Sequence, residues 1–178
     1  SLRSRMINNL NIQSYDFISK NGIKNNFNYY LKNTITAGKN NVEYDSSPHV
    51  KLMNMLEMQS SLPLTKIDEN FINFLNPKFS LRINPSDMKN YADKNRRINN
   101  DNIFNLDRLG LIDTLESGQN LTLGIDYKKE KIDDINKYFE LKIATILRAE
   151  DNKSIPSNST IDQEKSNYFG KFTNSFND

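Results

Sequence analysis

The sequence predicts an all-β fold built as an antiparallel up-and-down meander. The first observation is the segment 119–148, two arms of strict period two joined by a short charged turn. Leu121, Leu123, Ile125 and Tyr127 share one face of the first arm, with Asn120, Thr122, Asp126 and Lys128 opposite. In the second arm Phe139, Leu141, Ile143 and Leu147 alternate with Glu140, Lys142 and Arg148. The second observation is that such alternation recurs in seven stretches, with connectors that are by turns short and long. The third is composition: 36% hydrophobic residues and a mean hydropathy of −0.73, yet eight Tyr, ten Phe and a net charge of only +2. Disorder would pair low hydropathy with few aromatics and a large net charge. Each arm runs about eleven residues, the length a tilted strand needs to cross a bilayer core. A half-buried soluble sheet shows the same alternation, so periodicity alone leaves both readings open.

The strands follow in order. Residues 4–18 alternate and end at Ser19-Lys20-Asn21-Gly22, where Asn-Gly signals a hairpin. Residues 23–36 place Ile23, Phe27, Tyr29, Leu31 and Ile35 on one face and Lys24, Asn26, Asn28 and Lys32 on the other. Residues 49–61 set Val50, Leu52, Leu56 and Met58 against Lys51, Glu57 and Gln59, although Met53 and Met55 blur the polar face. Pro63 is expected to break the pattern before a strand at 72–84, where Phe79, Leu81 and Ile83 alternate with Lys78, Ser80 and Arg82. The 119–148 hairpin supplies the fifth and sixth strands. A seventh begins near Ser166, with Tyr168, Phe172 and Phe176 at even positions. No amphipathic helix is expected.

Short connectors at 19–22, 62–71 and 131–136 alternate with long ones near 37–48, 85–118 and 150–165. In a meander this puts every long connection at one end, the habit of bacterial outer-membrane barrels. Residues 1–178 are therefore expected to form part of a large transmembrane β-barrel domain, read as an internal fragment because the chain opens at Ser1 without Met. Seven strands do not close a barrel of even strand number.

Composition narrows the chemistry. The 28 Asn read as a coding bias, and the Lys and Arg are scattered, so no nucleic-acid partner is expected. Zero Cys removes disulfides, zinc–thiolate sites and thiol nucleophiles. His49 is the only His and no nucleophile signature accompanies it, so neither catalysis nor a metal or cofactor site is expected. Asp133-Asp134 lies among Lys129, Lys131 and Lys137 and reads as a solvated hairpin tip. The basic run Lys94-Asn95-Arg96-Arg97 reads as a solvated loop or as a contact for anionic lipid phosphates.

The connector 85–118 ends NDNIFNLDRLGLIDTLESG and enters the strand QNLTLGIDY. Through Asn102, Phe104, Arg108, Asp113, Glu116, Gly118, Leu121 and Gly124 it resembles the barrel region of the LPS-assembly outer-membrane protein family, the organic-solvent-tolerance or LptD family. SLPLTK (61–66) followed by LNPKFSLRINP (75–85) is similar in order and spacing. So is the stretch from Ile155-Pro156 to Ser166-Asn167-Tyr168-Phe169-Gly170. The resemblance covers most of 60–178 and is weaker over 1–60. Two positions depart from the pattern: Gly110-Leu111-Ile112 replaces an aromatic–Gly pair, and Asn167 stands where Asp is common.

The resemblance implies a non-enzymatic translocon in the outer membrane of a Gram-negative bacterium. It would receive lipopolysaccharide from a periplasmic bridge and insert it into the outer leaflet. The sugars would pass the hydrated lumen and the acyl chains move directly into the membrane, so that neither half crosses the wrong solvent. Implied partners are lipopolysaccharide, a lipoprotein plug subunit, the periplasmic bridge and outer-membrane lipids. This segment would supply barrel wall and outer loops, not the gate. The alternatives are another outer-membrane barrel, either a porin or a TonB-dependent receptor, or a soluble β-rich binding module.

Arg108, Asp113 and Glu116 are the charged candidates. They are read either as a loop cluster near lipopolysaccharide sugars and phosphates, which Arg binds bidentately, or as an Arg–carboxylate network pinning the connector. Gly118 and Gly124 are read as backbone devices, a turn and a strand kink or bulge. Thr122, Asp126, Glu140, Lys142 and Arg148 are the candidate lumen-facing residues, lining a hydrophilic route or forming a solvated face. Their mixed sign argues against a simple ion-selective pore.

Overall fold

A computed structural model describes residues 1–176. The strands are β1 (Leu2–Gln13), β2 (Phe17–Ile18), β3 (Lys24–Lys39), β4 (His49–Ser61), β5 (Leu64–Ile67), β6 (Phe71–Asn84), β7 (Gly118–Lys131), β8 (Tyr138–Arg148) and β9 (Phe169–Asn174). They form one antiparallel sheet in the order β1-β3-β4-β6-β7-β8-β9, with β2 also on β3 and β5 also on β6. Consecutive long strands are neighbours throughout, so the fold is the predicted meander. The sheet is open between β1 and β9.

Two of the predicted strands are interrupted, each for a local reason. The stretch 4–18 divides at a β-bulge. Gln13 pairs with Asn28 but Phe17 pairs with Asn25, so Ser14, Tyr15 and Asp16 oppose only two residues of β3. The backbone of Ser14 donates to the Phe27 carbonyl at 2.8 Å, and the Phe27 amide donates to Ser14 Oγ at 2.8 Å. Pro63 breaks the strand as expected, between Ser61 of β4 and Leu64 of β5, but the pairing register carries across the break. Leu56 pairs with Ile83 and Leu64 with Leu75, so one register runs through β4 and β5. Pro63 follows the residue that opposes Pro77, and the Leu62 amide still donates to the Pro77 carbonyl at 2.9 Å. Two prolines at one level thus interrupt the ladder once. The true turn lies at 68–70, where the Asp68 amide donates to the Phe71 carbonyl.

The sheet has two chemically distinct faces. One row of outward side chains is Phe27, Met58, Leu81, Leu121 and Leu147; another is Leu62, Pro77, Ile125 and Ile143. Leu56, Leu81, Leu123, Ile125, Ile143 and Phe172 are all exposed there. So continuous an apolar surface marks contact with a non-aqueous medium or a partner. Phe139 stacks edge-on with Tyr127 and Phe172 at the short-turn end, where outer-membrane barrels carry an aromatic girdle. Leu123→Arg is expected to cost about 2–4 kcal/mol of stability in the membrane, the penalty for a cation near mid-bilayer. Membrane insertion that matches the parent in a urea-titrated folding assay would contradict the lipid-facing assignment.

The opposite face carries the core, because the connector 85–117 folds onto it instead of extending into solvent. Ile98, Ile103, Leu109 and Leu111 pack with Ile155 and Ile161 of the last long connector against Ala144 and Ile146 of β8. Leu115 packs on Met53 and Met55, beside Tyr30 and Leu106. The two methionines that blur the polar face of β4 are therefore core residues, 0% and 1% exposed. Each side chain buried this completely contributes about 1.5–3 kcal/mol.

Candidate functional site

Glu116 joins the connector to the wall. Its carboxylate receives Arg108 Nε at 2.7 Å and Arg108 Nη2 at 2.6 Å, a bidentate pair, together with Arg148 Nη1 of β8. Arg108 also donates to the Ile103 carbonyl (3.3 Å), Thr122 Oγ1 (2.9 Å) and Asn120 Oδ1 (3.0 Å). All five guanidinium N–H groups are thereby spent inside the protein, which leaves no donor for a phosphate. Arg148 Nη2 donates to the Ser117 carbonyl, and Asn84 Nδ2 donates to the Glu116 carbonyl at 2.9 Å. The arrangement is a buried network pinning the connector, one of the two readings open for these residues.

Two further anchors come from the polar face of the strands. Arg82 of β6 donates to Glu57 Oε1 of β4 at 2.7 Å, and both side chains are 1% exposed. Arg82 Nη2 reaches the carbonyls of Phe104 (3.0 Å) and Asn105 (2.7 Å). Ser80 and Asn28 complete the Glu57 carboxylate at 2.7 and 3.0 Å. Lys32 of β3, 3% exposed, donates to the carbonyls of Leu111, Ile112 and Thr114 at 3.0, 3.0 and 3.2 Å. An irregular segment buried against a sheet has no ladder for its carbonyls, and these cations replace one.

Gly124 is not a kink. The β6–β7 register runs unbroken through Lys78 and Gly124, and the glycine clears space for the connector instead. A Cβ there would lie 2.7 Å from the Phe104 ring, whose centroid has Lys78 Nζ at 4.5 Å. Gly118 stands at φ +89° where the connector enters β7. Asn102 caps a local turn, accepting from the Asn99 amide at 2.9 Å and donating to the Arg97 carbonyl at 3.2 Å. Gly124→Val is expected to displace Phe104 and cost about 1–3 kcal/mol by overpacking. Adding Phe104→Ala should recover part of that loss in thermal melts. A double variant no better than Gly124→Val alone would show that the ring contact is not the cause.

At the long-connector end Asp113 ties three segments together. Tyr44 donates to Oδ2 at 2.6 Å, Lys89 to the same oxygen at 3.1 Å, and Tyr91 to Oδ1. Burial alone would raise the Asp113 carboxyl, but these three donors outweigh it and hold it at about 2. Burial likewise opposes ionisation of Glu116, and the charges of Arg108, Arg148 and Arg82 hold it at about 2. Burial and the Asp113 carboxylate push the Tyr91 phenol well above its ordinary value. A carboxyl lowered on folding stabilises the fold above its ordinary value and loses that contribution as pH falls towards its folded value. With ordinary values of 3.8 and 4.5, the connector is expected to stay protected from hydrogen exchange at neutral pH. It should loosen only below about pH 4.5. Loosening already near pH 6 would rule out these carboxylates as the cause.

The candidate lumen-facing residues all lie on the connector-covered face. Thr122 and Arg148 are buried beneath the connector and are not solvated. Asp126 is half-buried and pairs with Lys78 at 2.6 Å; Glu140 and Lys142 pair at 3.1 Å in the more open half toward the short turns. Sequence reasoning had placed Lys32, Glu57 and Arg82 on the polar faces without giving them a partner, and had not singled out Asn84 or Tyr44. The only advance signal was several long charged side chains recurring at inward positions of adjacent strands.

An apolar outward face, a polar inward face filled by its own connector, and long connections gathered at one end define the wall of an outer-membrane-type β-barrel. The sequence matches the LptD family, LPS transport system D, over residues 7–178. The chain belongs to that family, which links it to lipopolysaccharide transport at the outer membrane of Gram-negative bacteria and sets aside the porin, receptor and soluble-module alternatives. No curated protein and no solved structure matches it.

Proposed function

We propose that this chain is a stretch of wall, with its inserted connector, of the translocon that delivers lipopolysaccharide to the outer leaflet. The transport is non-enzymatic, and the partners are lipopolysaccharide, a lipoprotein plug subunit, the periplasmic bridge and outer-membrane lipids. Residues 1–178 belong to one barrel domain. The observation that carries the reading is that Lys32, Arg82 and Arg148 of the inner face are spent on the connector 103–117. A diffusion pore leaves such charges facing water. Here they build a rigid, closed sector, against which an amphiphile is guided along other parts of the lumen.

The test is depletion of the protein in living cells, with surface-exposed lipopolysaccharide followed by an impermeant probe. Arrest of delivery, with lipopolysaccharide accumulating on the periplasmic side, is the expected result. Unchanged delivery would overturn the reading, as would a large steady ion conductance of the purified protein in planar bilayers.

A further inference from the structure

On the outward face two adjoining hollows, of ≈ 360 and ≈ 340 Å³, open at the level of Pro77. Leu62, Pro77, Phe79, Leu123, Ile125 and Ile143 line them, and Pro77 and Leu123 belong to both. The short ring of Pro77 stands between the longer side chains of Leu75 and Phe79 on the same side of β6 and dents the surface there. A groove with apolar walls on a lipid-facing surface is filled by hydrocarbon.

Towards the short turns the same outward side becomes basic. Pairing sets Lys66, Asn73 and Lys129 in one row across β5, β6 and β7, and Lys131 lies opposite Phe71. Lys66 and Lys131 meet the turn carboxylates Asp68 and Asp133 at 3.0 and 3.1 Å, exposed pairs of little strength. Lys129 has no carboxylate within ion-pair distance among the described residues. Its ammonium stands 4.3 Å from the centre of the Phe71 ring.

This row and the groove are spaced like the two ends of one lipid leaflet. Lys129 is four residues from Ile125 and six from Leu123, about 13 and 20 Å along the strand. A strand tilt of ~40° makes these depths about 10 and 15 Å, and half of a bilayer core is about 15 Å. Short turns of outer-membrane barrels face the periplasm, so the leaflet is the one opposite to that receiving lipopolysaccharide.

We propose that this strip of the outer wall binds one anionic glycerophospholipid of the periplasmic leaflet. The phosphate sits at Lys129 with Lys66 beside it, and one acyl chain runs over Leu75 and Tyr127 into the groove at Pro77. The site goes beyond the translocon reading and rests on the lipid-facing assignment of the wall.

The experiment uses the full-length protein in vesicles of equal parts phosphatidylglycerol and phosphatidylethanolamine with added lipopolysaccharide. A photoreactive side chain stands at Leu75 or, as a reference on the same face, at Leu121, and adduct mass identifies the lipid. Phosphatidylglycerol adducts at least fivefold above phosphatidylethanolamine adducts are expected at Leu75, and adducts in proportion to the vesicle at Leu121. Lys66→Gln/Lys129→Gln should abolish the preference, and Ile125→Trp, which fills the groove, should weaken it at least threefold. Adducts at Leu75 in proportion to the vesicle would overturn the site. So would lipopolysaccharide as the favoured adduct there, or a preference that survives either variant. Should a variant fail to insert, the contrast between Leu75 and Leu121 in the parent decides. Loss of the preference while depletion still arrests delivery removes this site and leaves the translocon standing; delivery indifferent to depletion removes the translocon and not this site.

Discussion

Glu116→Leu is expected to release the connector 85–117 from the wall while leaving most of the strand pairing intact. The substitution removes the carboxylate shared by Arg108 and Arg148, whose side chains are 0% and 1% exposed. Two guanidinium groups would then sit in a closed interior without a counter-ion, and breaking a buried pair from one side costs about 3–5 kcal/mol. The β6–β7 and β7–β8 ladders do not use the Glu116 side chain, so the sheet signal in circular dichroism should persist. Trypsin reports the change: Arg108 is sealed in the parent and becomes a cleavage site once the connector lifts. Replacing all three residues, as Arg108→Met, Glu116→Leu and Arg148→Met, should restore much of the resistance, because a well-packed apolar trio needs no counter-charge. A single Glu116→Leu variant as resistant as the parent would show that the apolar clusters hold the connector unaided.

Arg82→Leu is the second large effect, and it acts from the wall side. It leaves Glu57 buried with only uncharged side chains on its oxygens, and it removes the guanidinium from the Phe104 and Asn105 carbonyls. The expected loss is again about 3–5 kcal/mol, focused on β4, β6 and the 104–105 segment. The two defects are distinguishable by partner: Glu57→Leu should rescue Arg82→Leu but not Glu116→Leu. Hydrogen exchange at 104–106 reads the outcome. Rescue of both variants by Glu57→Leu would mean that the two networks act as one unit.

The strands were legible because their signal is local. Period two in 119–148 placed Leu123 and Ile125 outside and Thr122 and Arg148 inside before any contact was known. Where sequence reasoning erred on strands, it read one residue without its neighbours in space. Gly124 looks like a kink until Phe104 is found above it. Met53 and Met55 look like faults in a polar face until Leu115 covers them.

The candidate site was half legible. Arg108, Asp113, Glu116, Gly118 and Gly124 stood out through a family resemblance, and the structure draws the first three into the anchoring of the connector. Lys32, Glu57, Arg82 and Tyr44 bind segments 22 to 82 residues away in the chain, and no periodicity carries such pairings. By itself the sequence determined the meander, the sidedness of its strands, the gathering of long connectors at one end and the family. Those follow from alternation, turn chemistry and composition, each of which acts over a few residues. Only the tertiary structure decided that the longest connector turns inward. That choice depends on matching isolated backbone carbonyls and one carboxylate to cations on β3, β6 and β8, a fit in space that no local pattern encodes.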